Sequence, residues 1–137
     1  MQDLPNIVRY YVSKLTGPDA DAGDAWHSLR ELGPTALPYL EEAFRSSRDY
    51  DERLLLAQVV CHFRSLDALP FLAQLLADND TEIWKTALDG LVMLGDDQQA
   101  VRTRILEVLD RARIIANSEK RTWIDEAMGQ VLPWSPD

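Results

Sequence analysis

The 137-residue chain is poor in the residues that do chemistry, with one cysteine and two histidines. A single thiol, Cys61, forms no internal disulfide, which fits a reducing compartment. Cys61 and His62 are adjacent, so on a helix their side chains diverge by about 100° and form no dyad. No glycine-rich stretch resembles a phosphate-cradling loop. No apolar run approaches the roughly 18 residues of a membrane span. The opening MQDLPNIVRYYVSKL has neither an uninterrupted apolar core nor a small-residue cleavage site, so no signal peptide is expected. These absences predict a cytoplasmic protein without a membrane span. No cofactor is expected, and with no nucleophile, acid–base pair or metal set in evidence, neither is catalysis.

Positive charge is also scarce: 14 Lys and Arg stand against 23 Asp and Glu, a formal net charge of −9. Residues 1–99 hold 8 basic against 17 acidic side chains. Residues 100–121 reverse the sign, with Arg102, Arg104, Arg111, Arg113, Lys120 and Arg121 against Glu107, Asp110 and Glu119. Nucleic-acid binding draws most of its affinity from phosphate neutralisation, and an acidic body opposes it. The basic segment is expected to be partly self-neutralised, since Glu107 and Arg111 stand four apart on a helix. An acidic surface would instead steer a basic protein partner.

What the chain does have is helical periodicity over almost its whole length. Ala22, Ala25, Leu29 and Leu32 form one stripe. Tyr50, Leu54, Ala57 and Cys61 form a second, and Ile83, Ala87, Leu91 and Leu94 a third. Each set falls on one helical face. Shorter helices lie between them, carried by Leu37, Leu40 and Phe44, by Leu69, Leu72 and Leu76, and by Val101, Ile105 and Leu109. Residues 51–63 are apolar on nearly every side, as a helix sandwiched between neighbours must be.

Two stretches are nearly the same: TALPYLEEAF at 35–44 and DALPFLAQLL at 67–76. Thr35 and Asp67 are expected N-caps. Pro38 and Pro70 then fall in a first turn, where a missing N–H costs little. Gly33 suits a left-handed C-terminal cap before Pro34, and LGDD at 94–97 is expected to end the third long helix in the same way. Asp78, Asp80 and Thr81 are expected to cap its start. The aspartates of PDADAGD at 18–24 read as N-caps, because the spacing fails a calcium loop: Gly23 is one place early and Arg30 stands where a bidentate acid belongs.

Self-similarity at about 32 residues predicts a stacked helical array in which no unit buries its face alone. The chain is expected to be all-α: a right-handed α-solenoid of about eight helices in one domain. Residues 1–17 form an N-terminal capping helix; 19–47, 49–78 and 80–116 form three helix pairs; 118–132 form a C-terminal helix and 133–137 a tail. His27 and His62 would approach each other on neighbouring first helices, but two imidazoles without a third ligand make a poor metal site.

TEIWKTALDGLVMLGDDQQAVRTRILEVL at 81–109 resembles a HEAT or HEAT-like repeat, and the two doubled stretches resemble the second helix of that unit. The resemblance covers about residues 19–115 and implies a fold rather than an activity. In that family an arginine early in the first helix often pairs with turn aspartates of a neighbour. Trp84 and Leu54 stand near that position here, so no such ladder is expected. The resemblance implies a protein-binding module of the small bacterial type, some of which are immunity proteins that block a toxin. Alternatives it brings are nucleic-acid binding, by likeness to HEAT-like alkylpurine DNA glycosylases, and chromophore handling, by likeness to bilin-attachment proteins. The candidate partner strip is Tyr39, Glu41, Glu42, Phe71, Gln74 and Thr103 on the second helices, with Trp134 in the tail. Its aromatics are expected to be exposed and to dock a basic protein.

Overall fold

The computed structural model describes residues 3–131, and every regular element among them is helical. In chain order they are α1 (Leu4–Ser13), α2 (Ala22–Leu32), α3 (Leu37–Ser46), α4 (Tyr50–His62), α5 (Leu69–Leu76), α6 (Thr81–Asp97), α7 (Arg102–Ile115) and α8 (Ser118–Val131). Tail residue Trp134 lies outside the described residues.

The doubled stretch produces a doubled local structure. Each copy opens with one 3-10 turn, Pro34–Ala36 and Leu66–Ala68, which runs directly into α3 and α5. Pro38 and Pro70 then occupy the start of the α-helix, as their missing N–H groups require. A third such turn, Gln99–Val101, leads into α7. The caps differ from expectation. Thr35 sits within its turn and donates to the Leu32 carbonyl, while Ser65, not Asp67, accepts the turn's free N–H, from Asp67. Asp21 stands at the N-cap of α2, but its side chain accepts no capping bond. Asp49 does cap α4, accepting from the N–H groups of Asp51 and Glu52.

Gly33 closes α2 at φ 77° and ψ −169°, outside the left-handed helical region and in a region open essentially to glycine alone. Gly95 caps nothing: α6 runs through it to Asp97, and the glycine lies buried against Ile105 and Val131.

α6 is the longest helix among the described residues. It packs on α4, α5, α7 and α8, and buries Ile83, Trp84, Ala87, Leu88, Gly90, Leu91 and Leu94. The first helices α2, α4 and α6 touch in succession, and α1 covers α2 and α3. α4 buries Leu56, Ala57, Val59, Val60 and Cys61, which explains its all-round apolar pattern. Tyr50, assigned to that helix's apolar stripe, is instead 41% exposed, because it stands at the first residue of α4, beyond its neighbours' cover.

The closest approach of α4 to α6 passes over Gly90. A Cβ built there would lie 2.7 Å from Cys61 Sγ, 3.0 Å from Cys61 Cβ and 3.2 Å from Leu72. Only a residue without a side chain fits, so the helix-weakening glycine is retained for packing. Gly90→Ala is expected to cost about 1–3 kcal/mol by overpacking. Urea unfolding of Gly90→Ala, Cys61→Ala and the double variant checks this: the double variant should be less destabilised than the two singles added together.

Candidate functional site

No arginine–aspartate ladder is expected, yet one arginine does meet two aspartates of the next connection. Arg53, in the second turn of α4, reaches the connection ahead of α6, placing Nη2 2.7 Å from Asp78 Oδ2 and Nη1 3.2 Å from Asp80 Oδ2. Its guanidinium also lies 4.5 Å from the centre of the Phe44 ring. The Arg53 and Asp78 side chains are only 25% and 14% exposed, so this pair is far better shielded than a surface bridge. The other Asp78 oxygen accepts from the Asp80 N–H. From the opposite side, Lys120 of α8 donates to the carbonyls of Leu76 and Asp78 at 2.7 and 3.2 Å, closing the C-terminus of α5. Burial holds the Lys120 ammonium below its ordinary range, with the Asp78 charge pulling the other way. Residues 77–80 are thus clamped between α4 and α8.

Around this clamp the charged groups sort by side. Tyr50 is exposed at the first residue of α4, next to Asp51 in sequence. Partial burial, then the carboxylates of Glu82, Asp80 and Asp51, push the phenol up. This exposed aromatic among acids escaped the sequence reading, which spent Tyr50 on a core stripe.

The predicted strip is only partly assembled. Phe71 is 1% exposed and meets Phe44 edge-on, their ring centres 5.5 Å apart, so it is a core residue and not a docking aromatic. Neighbouring helices cover α5 so completely that five of its eight residues are buried. Tyr39, the equivalent residue of α3, is half-buried and lines a small groove against α1 with Glu42. Glu41 and Gln74 are brought together by Arg45, which lies 3.6 Å from Glu41 and donates to Gln74 at 3.0 Å. That cation offsets the acidity expected there. Thr103 is exposed on α7.

The histidines do not meet. Trp26 stands between them, edge-on to His27 at 5.3 Å and to His62 at 5.0 Å. Among the described residues no three His, Cys, Asp or Glu side chains gather as metal ligands. Most of the basic segment serves the protein's own structure: Arg102 donates to the Gly95 carbonyl, Arg113 pairs with Asp125, and Arg121 donates to the Ala116 carbonyl. Arg111 does not pair with Glu107 and stands instead on the wall of a cleft between α5, α7 and α8. No helix among the described residues is long and apolar enough to cross a membrane.

Cys61 is buried and donates to the Thr86 carbonyl at 3.2 Å. Burial pushes its thiol up to about 12, with the charge of Asp89 adding to the shift. A buried, protonated thiol is a poor nucleophile. Its contribution to stability is therefore whole below the ordinary value of 9.0 and is lost as pH rises toward 12. Ellman's reagent at pH 8 should leave the folded protein unmodified while reacting fully in concentrated urea; rapid labelling of the native protein would show the thiol exposed.

The chain matches no protein-family model and no curated protein.

Proposed function

We propose that this chain is a non-catalytic protein-binding module, a short HEAT-like solenoid that holds a basic partner protein on an acidic edge. The solenoid reading is supported by the successive contacts of α2, α4 and α6 and by three turn-and-helix units spaced 32 and 33 residues apart. A buried lone cysteine suits the cytoplasm.

The observation that carries the reading is Tyr50, exposed at the N-terminal end of α4 and subject to the charges of Glu82, Asp80 and Asp51. Acids in a first turn favour their own helix through its dipole, so Asp51 and Glu82 have a local use. Local capping does not call for a large exposed ring among them. A tyrosine face beside carboxylates is well made for a lysine or arginine side chain, which gains from both. The net charge of −9 would steer such a partner from a distance. Tyr50 therefore replaces Phe71 as the aromatic of the docking surface, and the second-helix strip contributes through its exposed Glu42, Gln74 and Thr103. Inhibition or escort of the bound protein follows as its role.

The test starts from a tagged pull-down in the native host, with the recovered basic protein then titrated against purified variants. Tyr50→Ala and the charge reversal Asp51→Lys/Glu82→Lys are each expected to weaken binding at least tenfold at low salt. The reversal should also flatten the salt dependence. Unchanged affinity and salt dependence in both variants would remove this edge from the interface.

A further inference from the structure

On the other side of the clamp lies a cleft of about 580 Å³, within the range of small-molecule sites. Its origin is a mismatch in helix length. α5 stops at Leu76, whereas α7 continues six residues beyond the equivalent Leu109, an overhang of roughly 9 Å at 1.5 Å per residue. α8 then turns back across the opening and packs on α7 and α6, reaching the end of α5 through Lys120. Leu76, Trp84, Val108 and Ala112 supply apolar lining, and Asn79 and Asn117 stand among the polar groups beside it. Ile115 stands on the rim, 82% exposed, an apolar side chain that the fold itself does not use.

The charges on this cleft run against those of the rest of the molecule. Arg111 and Lys120 line it. The single acid lining it among the described residues is Asp78, whose carboxylate is already held by Arg53 and the Asp80 N–H. Lys120 directs two N–H groups to carbonyls, and an ammonium carries three, so one donor is left. Arg111 is exposed and makes no ion pair among the described residues. A cleft with an apolar side and two cations, in a protein otherwise strongly acidic, is complementary to a ligand with an apolar body and one negative end.

The geometry points to a binding site for a small amphipathic carboxylate, with its aliphatic body against Val108, Ala112 and Ile115 and its carboxylate between Arg111 and Lys120. A neutral analogue keeps the apolar contacts and forfeits the charge-assisted hydrogen bonds. A cationic analogue meets two like charges.

Octanoate is the probe, titrated by calorimetry. Octanamide and octylamine serve as the neutral and cationic analogues. Octanoate should bind saturably at millimolar concentration or below, at least tenfold tighter than octanamide, and octylamine should not bind. Arg111→Glu, an exposed change that leaves the core untouched, should weaken octanoate at least tenfold with circular dichroism unchanged. Ala112→Trp should fill the cleft and abolish binding. Absence of saturable octanoate binding, equal binding of octanoate and octanamide, or undiminished binding to Arg111→Glu would each overturn the proposal.

Discussion

Much of this structure hangs on Asp78. Its carboxylate receives Arg53 from α4 and the N–H of Asp80, while its carbonyl receives Lys120 from α8. Both cations also lie on aromatic rings, Arg53 over Phe44 and Lys120 over Trp84. The four-residue connection between α5 and α6 is therefore held from two sides, by groups distant in sequence. Removing one partner of so shielded a pair leaves the other charged group without compensation, and this costs more than the pair itself contributes. Because α6 starts from this connection and then packs on four other helices, its placement fixes that of α4, α5, α7 and α8.

The same connection separates two electrostatic environments. On the α4 side stands Tyr50 among Asp51, Asp80 and Glu82; on the α8 side lies the cleft with Arg111 and Lys120. Screening at physiological ionic strength takes effect over about 8 Å, so exposed charges act chiefly on their own side. One short connection thereby supports an acidic surface suited to a basic protein and a basic recess suited to a small anion. Neither requires the other to be occupied.

Local rules carried the sequence reading a long way. The apolar spacing placed six helices, α2 to α7, and the prolines at 38 and 70 marked helix starts because that rule depends only on the backbone nearby. The failures share a cause in long-range packing. Phe71 and Tyr39 are equivalent in sequence, yet one is buried and the other half-buried, because different neighbours flank them. Arg53 drew no notice in the sequence, since its partners lie 25 and 27 residues further on. The LGDD stretch does end α6, at Asp97, but without a glycine cap, since Gly95 lies inside the helix and faces Ile105 and Val131. The cleft follows from the different lengths of α5 and α7, which no single helix discloses.

The most direct test of this account is a double-mutant cycle at the clamp, with Arg53→Ala, Asp78→Ala and their combination unfolded by urea. Each single change is expected to destabilise by about 2–3 kcal/mol, as loss of one partner from a shielded charged hydrogen bond does. The double variant should be more stable than the two losses added together, with a coupling of at least about 1 kcal/mol. Additivity to within about 0.5 kcal/mol would mean that the two residues act independently, and the clamp would no longer explain how α6 is held.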